Sequence, residues 1–151
     1  LDAAAELPAH YFPLPVRSTI AGSRGSDGYY CPGSLLRITV DNTNPIAFGM
    51  PESAIAFSSG GHAWDITLLP EYNRDSRRVR SVARYAKSGL LASGWLSGEK
   101  AVLGKGILVE ARHGNGKVVL FGFRPQFRGQ PFGTFKFLLN AIYFGSARKL
   151  D

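Results

Sequence analysis

The chain has 151 residues, enough for one hydrophobic core and too few for two. Hydrophobic residues make up 44% and charged residues 19%, a composition that excludes an intrinsically disordered chain. The sequence has no apolar run long enough for a membrane-spanning helix, and its single cysteine excludes an internal disulfide and a zinc site built from thiolates. The net charge of +7 favours acidic partners.

The sequence begins at Leu1 rather than at methionine, and we expect it to be a processed product or a piece of a longer protein. Good helix formers predict a short helix over residues 1–12. Pro13 and Pro15 then impose extended backbone. Residues 21–28 are rich in glycine and serine, which predicts an exposed loop.

Short apolar segments bounded by turn residues predict strands in the middle of the chain. These predicted strands cover residues 35–40, 54–57, 63–69 and 79–85, followed by the short apolar segment 90–96. Between the first two, Pro45 can begin a helical turn that runs through Phe48.

The clearest hairpin joins residues 107–112 to residues 117–123. Its turn contains Asn115-Gly116, a dipeptide that adopts positive φ at low cost. Residues 118–121 are apolar without alternation, which indicates a strand covered on both faces.

The last predicted element is a helix. Apolar residues recur at i, i+3, i+4, i+7 and i+8, which makes a continuous apolar stripe. The stripe consists of Phe135, Leu138, Leu139, Ile142 and Tyr143. Thr134 can cap the start of this helix and Gly145 can end it.

A covered strand followed by such a helix predicts a layered α/β domain with more strand than helix. The chain lacks the several βαβ units of a complete doubly wound fold. We therefore expect the later part of such a domain.

The sequence offers few residues for catalysis or metal binding. The sequence contains no G-x-S-x-G, Walker A or H-E-x-x-H motif. On a strand, His62 and Asp65 would point to opposite faces, so no metal site is predicted. Cys31 is a possible nucleophile, with His62 or His10 as its base; a buried inert thiol is the alternative.

A second candidate site is the segment that follows the hairpin. Arg124, Gln126, Arg128 and Gln130 occur at every second position and could present donors to a carboxylate or phosphate. The alternative is that both arginines pair with acidic residues and satisfy loop carbonyls.

An arginine cluster spans the loop before the predicted strand 79–85 and that strand itself. It consists of Arg74, Arg77, Arg78, Arg80 and Arg84. Such a cluster is typical of a solvated face or a set of salt bridges, and no nucleic-acid motif accompanies it, so nucleic acid is not the expected partner.

The C-terminal half of the chain, over residues 114–130, 133–136 and 138–141, resembles the C-terminal region of large bacterial zinc-carboxypeptidase-like proteins. In that family a glutamine amidotransferase-like α/β domain follows the peptidase domain. Earlier stretches fit the same region, at residues 30–36, 41–45, 49–51 and 91–96.

The resemblance implies a three-layer, flavodoxin-like sheet of the class I glutamine amidotransferase type, truncated at its N-terminal side and carrying extra β-hairpins. Residues 1–151 would form a single partial domain at the C-terminal end of an exported protein. The upstream peptidase domain would be its partner and would hold the zinc, with no cofactor in this chain. No catalytic residue carries over, because the chain has neither His-x-x-Glu nor His-x-Glu.

The leading hypothesis is a non-catalytic accessory domain that serves packing, oligomerisation or substrate presentation. The alternatives are an anion- or nucleic-acid-binding module and a hydrolase that depends on Cys31. A truncated sheet would expose an edge strand, so we also expect a homo-oligomer formed through that edge.

Overall fold

The computed structural model describes residues 8, 11–12, 14–20, 28–66 and 79–144. Within these residues the chain forms eight strands and one α-helix. They are β1 (Val16–Ser18), β2 (Ser34–Val40), β3 (Ser53–Ser58), β4 (Trp64–Ile66), β5 (Val79–Tyr85), β6 (Leu91–Ser93), β7 (Gly106–His113), β8 (Gly116–Phe121) and α1 (Phe135–Phe144). Short 3-10 turns lie at Pro45–Ala47, Glu99–Ala101 and Phe132–Thr134.

The strands join in one sheet with the order β1-β4-β7-β5-β2-β3, in which β6 also pairs with β2 and β8 with β7. Every pairing among the described strands is antiparallel. The predicted α/β-type domain is thus confirmed in coarse form, as a mostly antiparallel sheet with one short helix. A flavodoxin-like sheet is built from parallel strands joined by crossover helices, and the described pairings do not have that arrangement.

Local sequence signals located most of these strands. The predicted strands at residues 35–40, 54–57 and 79–85 correspond to β2, β3 and β5, and the helical turn at Pro45 is present. The predicted helix over residues 1–12, the loop before residue 28 and the helix end at Gly145 fall wholly or mostly outside the described residues.

The β7–β8 hairpin is present, but two details of its prediction were wrong. The positive φ lies at Gly114, the first central residue of the turn, and not at Asn115-Gly116. Glycine in that place is typical of a type II′ turn. The strand that is covered along its length is β7, buried from Gly106 to Ala111, whereas Val118 and Val119 of β8 are only half-buried.

Two apolar clusters explain why β7 is so deeply buried. The main cluster contains Ile107 and Leu108 of β7 together with Leu36, Tyr85 and Phe137. The smaller cluster contains Val109 and Ala111 of the same strand, packed with residues that include Leu14, Trp64 and Leu120. Because β7 supplies side chains to both clusters, it forms the centre of the domain.

Helix α1 packs through a face different from the one its sequence suggests. Phe137 is fully buried, and its ring meets that of Phe123 edge-on with the centroids 6.1 Å apart. Asn140 Nδ2 donates to the carbonyl oxygens of Ile46 and Phe48, at 3.0 and 2.9 Å. These bonds satisfy carbonyls of the turn beneath the helix, so the polar residue faces that turn. Of the predicted apolar stripe, Leu139, Ile142 and Tyr143 are exposed, whereas Phe135 and Leu138 are half-buried.

The expected cap at the start of α1 is also different. Thr134 is buried and its hydroxyl donates to the carbonyl of Pro125 at 2.9 Å. The hydroxyl therefore ties the helix to the loop after β8.

The end of α1 is tied to the hairpin through a buried ion pair. Lys117 Nζ lies 3.1 Å from Glu110 Oε1, and the second carboxylate oxygen of Glu110 accepts from Asn44 Nδ2 at 2.6 Å. Asn44 Oδ1 in turn accepts from the backbone N–H of Ile46 at 2.9 Å. Lys117 Nζ also reaches the carbonyl of Phe144 at 3.5 Å. One network therefore joins the hairpin, the 3-10 turn and the helix.

Candidate functional site

The segment after β8 crosses to the far edge of the sheet. The backbone N–H of Arg124 donates to the carbonyl of Phe57 in β3 at 3.1 Å. The ring of Phe127 stacks on that of Phe57, with centroids 4.9 Å apart and planes inclined by 21°. The segment thereby covers part of the outer edge of β3 and fixes the position of Phe127.

Both arginines of the predicted site lie against this one ring. The guanidinium carbons of Arg124 and Arg128 are each 5.0 Å from the centroid of Phe127. Cations in that position are attracted by the electron-rich face of an aromatic ring. The structure therefore brings the two arginines together, by a contact that the alternating pattern did not indicate.

A strained turn holds Arg128 in place. Arg128 has a φ of 52° and Gly129 a φ of 69°, and the N–H of Gln130 donates to the carbonyl of Phe127 at 3.0 Å. Positive φ at both central residues is the mark of a type I′ turn. Among the described residues Arg128 is the one non-glycine with positive φ, a conformation that is unfavourable for an arginine.

The two glutamines of the predicted site contribute less to it than the two arginines do. Gln126 and Gln130 are exposed, and Gln130 contributes its backbone N–H to the turn. In the part of the chain that the structure describes, no hydrogen bond links either amide side chain to the arginines. The turn reverses the chain direction, so an alternation that assumes extended backbone does not apply across it.

Cys31 lies in a buried polar cluster beneath the loop that joins β3 to β4. Its thiol is 3% exposed and donates to the carbonyl of Ser58 at 3.3 Å. The sulfur is therefore shielded from solvent, which opposes a role as nucleophile. Burial raises the pKa of the neighbouring hydroxyls of Tyr29 and Tyr85 above the ordinary tyrosine value.

The two histidines that the structure describes lie in different surroundings. His62 stacks on Trp64 with centroids 5.9 Å apart, and the ring of exposed His113 lies 4.5 Å from that of Phe12. His10, the other proposed base, is outside the described residues. The hypothesis of a hydrolase that depends on Cys31 stays a prediction.

Asp65, weighed above with His62 as a metal ligand, is engaged by a cation. Lys105 Nζ lies 2.7 and 2.8 Å from its two carboxylate oxygens. Across the described ranges no group of three His, Cys, Asp or Glu side chains is arranged to hold a metal ion.

Two members of the arginine cluster are described, and both make structural contacts. Arg80 Nη2 lies 3.2 Å from Asp41 Oδ2, and Arg84 Nη1 donates to the carbonyl of Gly104 at 3.3 Å. Hydrogen bonds from Thr43 and the charge of Arg80 hold the pKa of Asp41 below its usual range. Arg74, Arg77 and Arg78 lie outside the described residues, so a nucleic-acid role for the cluster is untested.

The most exposed apolar surface lies on and beside α1. Its members are large side chains that share an outward position. They are Phe132, Leu139, Ile142 and Tyr143, which are 73%, 52%, 69% and 76% exposed. We call these four residues the helix face. The ring of Phe132 lies 5.2 Å from that of Phe135, which connects the 3-10 turn to the helix.

The sequence predicts the stripe but does not indicate that Leu139, Ile142 and Tyr143 face solvent. Asn140, in the middle of an apolar helix, is the available signal, because an amide that packs against the domain needs hydrogen-bond partners and therefore selects the inward face.

The described residues also contain a shallow depression of about 190 Å³ between Thr39–Asp41 and Ser81–Arg84. It is smaller than the roughly 300–1,000 Å³ of typical ligand pockets.

Comparison with known proteins gives little. No protein-family model matches the sequence, and no curated protein matches it. A crystal structure of a ThuA-like protein from Bacteroides uniformis is similar, with a TM-score of 0.42 and 14% sequence identity. The match covers 76% of this chain and 44% of that one, so the chain spans less than half of that protein. A match at this level assigns neither fold nor function.

No helix among the described residues is long and apolar enough to cross a membrane.

Proposed function

We propose that the chain is a non-catalytic accessory domain whose role is assembly, and that two copies associate through the helix face. The observation that supports this is the helix face, where three large apolar side chains of α1 and one of the preceding 3-10 turn are more than half exposed. Monomeric proteins seldom leave an extended apolar patch in water, and such patches mark interaction surfaces.

The area of the helix face suits a dimer contact. Aromatic side chains bury about 150–250 Å² each, so the four residues together present roughly 500 Å² of apolar surface. A standard interface takes about 800 Å² from each partner, which this surface and its polar rim approach.

The chemistry of the helix face favours a second copy as the occupant. Helix α1 contains one charged residue, Lys136, which donates to the carbonyl of Gly49 at 2.9 Å at the side of the face. A flat apolar patch without charge is complementary to itself, as a two-fold interface requires. Both copies carry a net charge of +7, so added salt should screen their repulsion and strengthen the association.

In the zinc-carboxypeptidase-like parent that the resemblance implies, this contact would hold protomers together. Zinc and peptidase chemistry would belong to the upstream domain. The accessory role and the parent protein are parts of the same proposal. The sheet-edge association expected from the sequence is the competing route, because β3 ends the strand order.

Sedimentation equilibrium on the wild-type chain, Ile142→Asp and Ile55→Asp tests the proposal. Ile142 lies on the helix face, and Ile55 is 48% exposed on β3, so the same substitution probes the two routes. We expect a wild-type dimer, a monomeric Ile142→Asp chain and a dimeric Ile55→Asp chain, with all three folded by circular dichroism. A monomeric wild type at high concentration, or a dimer broken by Ile55→Asp alone, would refute the proposal.

A further inference from the structure

We infer that Tyr30 and Trp95 form a docking surface for a proline-rich segment of a partner protein, bound in the polyproline II conformation. We call these two residues the aromatic pair; they are 59% and 68% exposed near β6. The aromatic pair is separate from the helix face, and the inference does not depend on the proposed association.

Backbone hydrogen bonds place the two residues close together. Tyr30 and Ser97 exchange both of their N–H···O bonds, at 3.1 and 3.0 Å. The Cα atoms of such a pair lie about 5.5 Å apart. Trp95 comes two residues earlier on the same segment, which puts its Cα within about 13 Å of that of Tyr30. Both side chains are therefore within reach of one short peptide.

The same bonds put the two rings on one side of the chain. Ser34 Oγ accepts from the N–H of Trp95 at 3.0 Å and donates to its carbonyl. Trp95 and Ser97 thus both direct their N–H and C=O groups toward residues 30–34, as alternate residues of an extended strand do. Alternate residues share a side, and so do residues directly opposite each other on two strands. The rings of Trp95 and Tyr30 therefore belong to one surface.

Close backbone contacts hold this surface rigid. Gly94 has a φ of 103°, and a Cβ there would lie 2.9 Å from the carbonyl oxygen of Gly33. A Cβ at Gly98 would lie 2.7 Å from the carbonyl oxygen of Gly28. The two segments are thus in backbone contact on both sides of Trp95–Ser97. Tyrosine and tryptophan on a fixed backbone offer a large contact area at a low cost in conformational entropy.

The charge of this surface limits the class of its partner. The chain carries a net charge of +7, yet residues 28–34 and 91–98 contain no charged side chain. A single-stranded nucleic acid needs cations for its phosphates beside the rings that stack on its bases. A sugar needs amide or carboxylate side chains for its hydroxyls, and these two segments contain none. The surface therefore suits a neutral, apolar partner.

A proline-rich segment matches the groups that the aromatic pair presents. Trp95 offers an indole N–H and Tyr30 a phenolic O–H, and neither donor has an acceptor among the described residues. A polyproline II segment has no internal hydrogen bonds, so its carbonyls are open to such donors while its proline rings pack on aromatic faces. It rises about 3.1 Å per residue, so roughly four residues span the pair.

The fluorescence of the two tryptophans provides the test. Trp64 is 1% exposed, so acrylamide quenching of the full chain reports mainly on Trp95. We expect decaproline to shift the emission to shorter wavelength and to reduce this quenching in a saturable manner, because the bound peptide covers the indole ring. A glycine-serine peptide of the same length should do neither.

Calorimetric titration with decaproline then compares variants that remain folded by circular dichroism. Trp95→Leu keeps an apolar side chain but lacks the flat ring and the N–H, and it should weaken binding about tenfold or more. Tyr30→Ala should weaken binding as well. Phe48→Ala is the matched control, since it removes an aromatic side chain that is 71% exposed elsewhere, and it should leave binding unchanged.

Three results would overturn the inference. The first is a wild-type chain with no saturable response to decaproline. The second is a Phe48→Ala chain that loses as much affinity as Trp95→Leu. The third is binding of cellohexaose or of a thymidine oligonucleotide, measured by the same quenching of Trp95, when decaproline does not bind.

Discussion

The β7–β8 hairpin and helix α1 are both strongly apolar in sequence, but they use their apolar residues in opposite ways. In β7 every side chain from Ile107 to Val109 is fully buried, whereas Leu139, Ile142 and Tyr143 of α1 are largely exposed. The difference teaches that a continuous apolar stripe identifies a contact surface and does not say whether the contact lies within the same chain.

Polar contacts determine which side of α1 faces the core. Asn140 bonds two carbonyls of the 45–48 turn, and Lys117 reaches the carbonyl of Phe144 from β8. Ile46 is buried, so its carbonyl needs the amide of Asn140, and an unsatisfied buried carbonyl costs more than an exposed leucine. The helix is therefore oriented by hydrogen bonds and by the ring of Phe137, which leaves its wider apolar side for association.

The sharpest way to test this difference within α1 is to truncate one residue on each face. Phe137→Ala should lower the free energy of unfolding by about 4 kcal/mol, because it removes a fully buried ring that packs on Phe123. Leu139→Ala should change the stability of the monomer by less than about 0.5 kcal/mol. Urea unfolding at low protein concentration measures both, and similar losses would mean that the outward assignment is wrong.

A smaller effect is expected at the ion pair that joins the hairpin to the helix. Lys117→Met leaves the carboxylate of Glu110 buried with Asn44 as its remaining partner. The free energy of unfolding should fall by about 3 kcal/mol, because removing one member of the pair leaves a buried charge without its partner. The value is at the low end for a buried pair because this pair is slightly exposed to water.

Lys136→Met is the matched control for this substitution. Lys136 is exposed and bonds one carbonyl, so the same change there should cost no more than about 1 kcal/mol. Equal losses at the two lysines would show that the network around Glu110 does not hold the helix in place.

The smallest effect concerns Asp41 at the end of β2. Hydrogen bonds from Thr43 and the charge of Arg80 keep the pKa of Asp41 below its ordinary value of about 3.9. The folded state therefore binds this proton less readily than the unfolded state, so the contribution to stability is present above about pH 4 and is lost as pH falls below it.

Asp41→Asn should consequently flatten the fall in melting temperature below about pH 4, with little change at neutral pH. Glu52→Gln, an exposed carboxylate on the turn before β3, serves as the control. A pH profile of Asp41→Asn that coincides with wild type would contradict this role. The carboxylate is partly exposed, so the effect should be modest.

The sequence located the local elements and left their pairing open. Short apolar segments and turn residues placed β2 and β5, and glycine and asparagine placed the hairpin turn. The pairing of β7 with both β5 and β4 joins residues far apart in the chain, and no local pattern encodes it. The expectation of a flavodoxin-like sheet came from the family resemblance. The apolar run at residues 118–121 indicated only a covered strand, which a central antiparallel strand also provides.

The sequence indicates only part of the candidate anion site, because this site too depends on contacts between residues far apart in the chain. Two arginines in a loop indicated affinity for anions, but the ring that gathers them was not recognised. Phe127 lies between Arg124 and Arg128 in sequence, and only the fold shows that it stacks on Phe57 of a strand far earlier in the chain. The strain at Arg128 is likewise visible only in the backbone of the folded chain.

The central claim is that the helix face is where two copies meet, and hydroxyl-radical footprinting at a series of protein concentrations tests it most directly. Trp95 and Tyr30, which are 68% and 59% exposed near β6, act as internal references. We predict that the oxidation of Phe132, Leu139, Ile142 and Tyr143 falls as concentration rises, while that of the two references stays constant. Constant oxidation of the helix face at all concentrations, or protection of Trp95 and Tyr30 instead, would contradict the claim.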